Sequence, residues 1–273
     1  MKKALIDQKE IAYRIEGKGD CLVLIHGFPE DHRIWDDFVQ KLSSRFTVIS
    51  LDLPGFGQSA MLNETHSMGL MAMAIKAILD EENIEHCVLA GHSMGGYVAL
   101  AFVNDYPEFV DGIVLFHSQA TADDEQAAAN RDKAILQVLT DKTAYLENFT
   151  HSLYDQAFHR SHPEIVARLN NISHSQSERA IIAALAGMRD RESHINLLTQ
   201  IKCPVLFILG KSDSRMPAVK IMAQAGLPAH AELLMIDKVG HMGFAEAPEV
   251  TRLTLEAFAE KCFTLKNTHY MYE

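Results

Sequence analysis

Ser93 sits between glycines in the run Gly91-His92-Ser93-Met94-Gly95-Gly96, directly after the apolar stretch Cys87-Val88-Leu89-Ala90. The order reads as strand, sharp turn, then the small-residue start of a helix. A serine on such a turn has a strained backbone, with neighbours packed too close for a Cβ. The turn lifts Oγ out of the sheet and aims it, with the following backbone N–H, at a carbonyl. A serine hydroxyl is a poor nucleophile near neutrality. It needs a base, and the base needs an orienting acceptor.

The chain has 14 histidines, so the base must be chosen by context. His241 follows Asp237-Lys238-Val239-Gly240, just beyond the last apolar run, where a loop can carry it over the sheet edge towards Ser93. For the acceptor, Asp213 lies in Gly210-Lys211-Ser212-Asp213, after the run that ends at Leu209. Its carboxylate can take the N–H of the His241 ring that faces away from Ser93, fixing the tautomer and stabilising the imidazolium. The same aspartate also reads as a turn or N-cap residue ahead of Pro217. A rival acid after the preceding strand is excluded, because Phe116-His117-Ser118-Gln119 offers no carboxylate before Asp123. Acyl chemistry also generates an oxyanion that preorganised backbone N–H groups stabilise. His26-Gly27-Phe28-Pro29 follows the run ending at Ile25, and the donors are assigned to the amides of Phe28 and Met94. His26 itself reads as an organiser of that loop.

The elements that must position these groups alternate. Ile11 to Ile15 alternates apolar and polar like an edge strand. Runs at 22–25, 46–49, 87–90, 113–116, 205–209 and 233–236 are nearly continuously apolar, as strands covered on both faces are. Helical patterns lie between them at 67–82, 94–106, 218–225 and 248–262. This predicts a doubly wound, mostly parallel α/β sheet. One segment breaks the rhythm: 118–199 has no strand-like run and reads as helices at 123–139, 142–153, 163–172 and 177–191. An all-helical lid over the carboxyl edge of the sheet fits its length better than ordinary crossover helices. The division is thus 1–117 and 200–265 as core, 118–199 as lid and 266–273 as a peripheral tail.

Length and composition agree. At 273 residues and 48% hydrophobic content the chain can bury a large core. A net charge of −11 with no Lys/Arg cluster argues against a nucleic-acid partner. No signal peptide or membrane span is expected, since the apolar start is cut short by Asp7-Gln8-Lys9-Glu10. Cys21, Cys87, Cys203 and Cys262 are widely spaced, with no C-x-x-C pair, and read as reduced thiols in a cytoplasmic protein. His151, His159, His162 and His174 lack a compact ligand spacing, so no metal site is expected. The oligomeric state is open.

The order oxyanion loop, Ser93, Asp213, His241 resembles the α/β-hydrolase superfamily over nearly the whole chain. Asp52-Leu53-Pro54-Gly55-Phe56-Gly57-Gln58-Ser59 is similar to the family's loop after the following strand. His26 to Glu30 is similar to the epoxide hydrolases and some dehalogenases, which carry a helical lid, but those place an aspartate where Ser93 stands. A serine there resembles the esterase and cofactor-free haloperoxidase-type members. The resemblance implies hydrolysis of carboxylic esters or related acyl compounds through an acyl-serine, on a small-molecule substrate, with neither metal nor organic cofactor. It also leaves room for a thioester, lactone, amide or carbon–carbon substrate, and for a small-molecule receptor with slow turnover. By the same likeness the lid tyrosines Tyr145 and Tyr154 are candidate substrate contacts. Trp35 either lines the pocket mouth or packs under the oxyanion loop.

Overall fold

The computed structural model describes residues 1–267. The six predicted apolar runs form the six consecutive strands β4-β3-β5-β6-β7-β8 of an eight-stranded sheet of order β1-β2-β4-β3-β5-β6-β7-β8. Its strands are β1 (Lys2–Ile6), β2 (Lys9–Glu16), β3 (Cys21–Ile25), β4 (Thr47–Leu51), β5 (Cys87–His92), β6 (Val110–Phe116), β7 (Val205–Gly210) and β8 (Ala231–Ile236). β3 to β8 run parallel, while β1 and β2 are antiparallel additions beside β4.

The two faces of the parallel strands feed two separate cores. On β3, Val23 and Ile25 join one apolar cluster and Leu22 and Leu24 the other, as the two-residue period of a strand requires. The first cluster is covered by α2 (Met68–Glu81) and α3 (Met94–Asp105), the second by α1 (Asp36–Leu42) and α11 (Pro248–Asn267). A stripe from each helix is buried, so propensity alone is not asked to hold them.

Between β6 and β7 the chain forms only helices: α4 (Glu125–His151), α5 (Gln156–Ser161), α6 (Pro163–His174), α7 (Glu178–Arg189) and α8 (Ile195–Gln200). The two helices expected at 123–139 and 142–153 meet at a kink, where Asp141 leaves the helical region (φ −157°, ψ 92°) and its Oδ1 accepts from Ala144 N at 2.9 Å. α9 (Ala218–Ala225) follows β7, and a single turn, α10 (Gly243–Glu246), follows β8.

Three expectations need correction. β2 is not the edge: β1 flanks it through a two-residue turn, Asp7 and Gln8, both with positive φ, a turn usually signalled by Asn-Gly. β8 is the opposite edge and is only half-buried, although its sequence reads as a covered strand. The last helix continues past Cys262 to Asn267, so the tail does not begin at 266; residues 268–273 lie outside the described residues. Among the described residues no helix is long and apolar enough to cross a membrane.

Candidate active site

The chemistry-bearing residues lie just past, or at, the carboxyl ends of parallel strands: His26 after β3, Ser93 after β5, His117 after β6, Asp213 after β7 and His241 after β8. Open α/β sheets bind ligands at that edge. Ser93 has φ 51° and ψ −113°, a region that costs a non-glycine residue roughly 1–3 kcal/mol. The surroundings hold it there. Its N–H donates to Phe116 O at 2.9 Å and its carbonyl accepts from Ser118 Oγ at 2.7 Å. Gly91 has no freedom to be anything else, because a Cβ would run into the Gly95 carbonyl. Met94 opens α3 and is fully buried, so its amide stands at the positive end of a helix beside Ser93.

Asp213 is the most heavily used carboxylate of the site. Oδ1 accepts from Arg215 N at 2.8 Å and Met216 N at 2.9 Å, which is the turn role foreseen for it. Oδ2 accepts from His241 Nδ1 at 2.8 Å and from His117 Nδ1 at 2.9 Å. Despite burial, the two imidazoles hold its carboxyl well below the usual carboxylate range. His117 carries no sequence signal of this role, because the loop after β6 offers no carboxylate before Asp123 and a lone histidine there has no marking pattern. It has no exposed surface, a φ of 48°, and a pKa pushed down to about 4 by burial against the opposing pull of Asp213. Its Nε2 packs where a Cβ on residue 243 would sit, so Gly243 is required opposite it.

This histidine is expected to make the fold less stable in acid. Above pH ~6.5 an unfolded histidine is neutral and His117 contributes no pH dependence. As pH falls from there to about 4, the unfolded chain takes a proton that buried His117 refuses, and stability declines by about 3 kcal/mol. His66, also lowered to about 4 by burial, adds in the same direction. Asp213 contributes only below pH ~3.9, where its own stabilisation is lost. The melting temperature is expected to drop between pH 7 and 4.5, less steeply in His117→Gln. A flat profile over that window would contradict this account.

The His241 loop is clamped from three sides. His241 N donates to Leu153 O in α4's trailing turn at 2.6 Å, and its carbonyl accepts from His92 Nε2 at 3.0 Å. Glu246 Oε2 accepts from Gly240 N at 2.9 Å and Asp155 N at 2.8 Å, while Oε1 accepts from Met242 N at 3.0 Å. Burial pushes the Glu246 carboxyl above its ordinary value, and the three N–H groups pull it back. No sequence motif marks this residue. Glu246→Ala leaves three backbone donors without their acceptor and is expected to cost on the order of 2–4 kcal/mol in urea unfolding. A loss under 0.5 kcal/mol would refute the clamp.

His26 behaves as the loop organiser foreseen: Nδ1–H donates to Gly27 O at 2.7 Å and Nε2 accepts from Leu53 N at 2.9 Å. Phe28, Ser93 and His241 line one open cavity of about 1360 Å³, whose remaining wall is built largely from α4 and the loop after Asp213. Tyr145 is part of that wall. Trp35 and Tyr154 are not: Tyr154 is not placed as the substrate contact expected of it, and of the two readings of Trp35 the structure shows packing rather than the pocket mouth. Trp35 has no exposed surface and packs against Phe38, Phe116 and Phe244 at 5.4–5.7 Å between ring centres. Tyr154 is buried in the same core, stacked on Phe158 of α5. Both rings bury too much apolar surface to be left at a pocket mouth.

Residues 20–248 match the family model described as the alpha/beta hydrolase fold, and the chain belongs to that family. A thermophilic esterase from Thermogutta terrifontis, solved with malate bound, superposes with a TM-score of 0.91 at 28% identity, covering 96% of this chain and 98% of that one. A pimeloyl-[acyl-carrier protein] methyl ester esterase of Aeromonas hydrophila is 29% identical over 85% of this chain and 92% of its own length. A 2-hydroxy-6-oxononadienedioate/2-hydroxy-6-oxononatrienedioate hydrolase of Paraburkholderia phymatum is 30% identical over 85% and 84%. Over a 104-residue stretch at 38% identity, the chain spans only 30% of the length of the curated relatives it matches there.

Proposed function

We propose that this chain is a serine hydrolase of carboxylic esters. One observation carries the reading: Ser93, on its positive-φ turn, and His241, whose Nδ1 is tied to Asp213 at 2.8 Å, line the same cavity. With Nδ1–H committed to Asp213, Nε2 is the nitrogen left to take a proton. In the first step Ser93 Oγ bonds to the substrate carbonyl carbon, its proton passes to His241 Nε2, and the oxyanion is received by the Phe28 and Met94 amides. Collapse of that adduct breaks the ester C–O bond, and the leaving alkoxide takes the proton back as alcohol. Water, deprotonated by the same histidine, then repeats the addition at the acyl carbon and releases the acid with Ser93 restored.

The esterase names among similar proteins support the ester over other acyl bonds. The α4–α8 insert serves as the lid, its α4 forming most of the wall that faces Ser93 and His241 across the cavity. Four buried free cysteines fit a reducing compartment such as the cytoplasm. The test is hydrolysis of p-nitrophenyl esters of graded acyl length, paired with labelling by an alkyl fluorophosphonate. Turnover of roughly 1–10³ s⁻¹ on a preferred ester, with label on Ser93, is expected. Turnover without label at Ser93 would overturn the assignment.

A further inference from the structure

Besides Lys133 and Lys220, the cavity wall carries two guanidinium groups from different elements, Arg131 on α4 and Arg215 on the loop after Asp213. Arg131 Nε donates to Asp123 Oδ2 at 3.0 Å, but Asp123 Oδ1 also takes Nη1 of buried Arg191 at 2.5 Å. One carboxylate therefore serves two arginines. Arg215 Nη2 donates to a neutral oxygen, Ser152 Oγ, at 2.6 Å, and among the described residues no carboxylate forms an ion pair with it. The other acids of the wall are turned to their own backbone: Asp124 accepts from Ala127 N and Asp141 from Ala144 N.

The Arg215 guanidinium carbon lies 4.5 Å from the centre of the Phe149 ring. Phe149 in turn meets Phe28 of the oxyanion loop edge-on at 5.5 Å and stacks on Tyr145 at 5.8 Å. Arg215 is thus two ring contacts from the loop assigned to the oxyanion. Tyr145, Arg131 and Arg215 all line this one cavity; burial raises the Tyr145 hydroxyl to about 12, and the charges of both arginines pull it back. Burial lowers the pKa of Arg215, Tyr145 and Asp213 oppose the shift, and the charge of Arg131 adds to it. The wall thus presents Arg215 with no carboxylate partner and Arg131 on a carboxylate shared with Arg191, an arrangement suited to an incoming anion.

We propose that Arg131 and Arg215, with the Tyr145 hydroxyl, bind a carboxylate of the substrate, so that the preferred ester carries a negative charge a few bonds from its scissile carbonyl. This rests on the ester-hydrolase reading and names its substrate class. The planar fork of an arginine suits a carboxylate better than a lysine would. The contact is made before and during reaction alike, so it acts on KM more than on kcat.

The experiment compares kcat/KM for p-nitrophenyl monoesters of succinate, glutarate and adipate with uncharged p-nitrophenyl esters of matched length. The charged series is expected to be preferred on the order of 10–100-fold, less so at high salt. Arg131→Gln and Arg215→Gln should each reduce the preference and together bring it to about one. Because the preference is a ratio within one variant, partial loss of folded protein cancels from it. Glutarate should also slow fluorophosphonate labelling of Ser93 more than butyrate does. If neutral and charged esters are cleaved alike while Ser93 labels, the anion site is wrong and the hydrolase reading stands. If the preference survives in the double variant, these residues are not the site. If Ser93 neither labels nor turns over any ester, the underlying reading itself has failed.

Discussion

A Ser93→Ala variant is expected to lose on the order of 10⁴–10⁶ in kcat while melting within a few degrees of wild type. The substitution removes one oxygen and leaves the turn intact, since the strained conformation is imposed by the Phe116 and Ser118 contacts to the Ser93 backbone. Alanine relieves none of that strain and loses no core packing. His241→Ala should cost as much, and the double variant little more than either, because nucleophile and base act as one unit. The residual rate would come from the Phe28 and Met94 amides and from substrate binding. The measurement is steady-state turnover of the best p-nitrophenyl ester in the three variants, with circular dichroism to confirm folding. Additive losses, or near wild-type turnover in either single variant, would mean that Ser93 and His241 do not share a reaction.

The parallel core of the sheet was legible because its strands are buried on both faces and therefore read as unbroken apolar runs. Asp213 and His241 could be chosen because each directly follows such a run. The structure joins those two as foreseen, and it puts Ser93 and His241 on one cavity. What escaped is what depends on neighbours distant in sequence. His117 was invisible as a partner of Asp213, 96 residues away, because a histidine after a strand has no local signature until the facing loop is known. Glu246 looks like any first-turn helix acid, yet it gathers N–H groups from two loops. Trp35 stood close to the oxyanion loop in sequence, but volume decided its place in the core. β8 misled for the opposite reason: it is the sheet's outer strand, where Leu233 is exposed and Leu234 and Met235 are only partly covered, and no local pattern predicts that edge.

An Asp213→Asn variant is expected to lose ~10⁴ in kcat, the scale seen when a triad acid is neutralised. The reason here is a full count of hydrogen bonds. Both oxygens of Asp213 are occupied, and every partner is a donor: two backbone N–H groups at Oδ1 and two imidazole N–H groups at Oδ2. A carboxamide has one acceptor oxygen and one donor nitrogen. If its oxygen stays with the imidazoles, its NH₂ points at the amides of Arg215 and Met216. If it flips, the NH₂ faces two Nδ1–H groups, and His241 must shift its proton to Nε2, where it can no longer accept one from Ser93. Either orientation sets donor against donor in a buried site, so some stability is lost as well, roughly 1–3 kcal/mol. Turnover of the best ester and urea unfolding should be measured together. A variant that keeps more than a tenth of wild-type kcat would show that His241 is oriented by something other than Asp213.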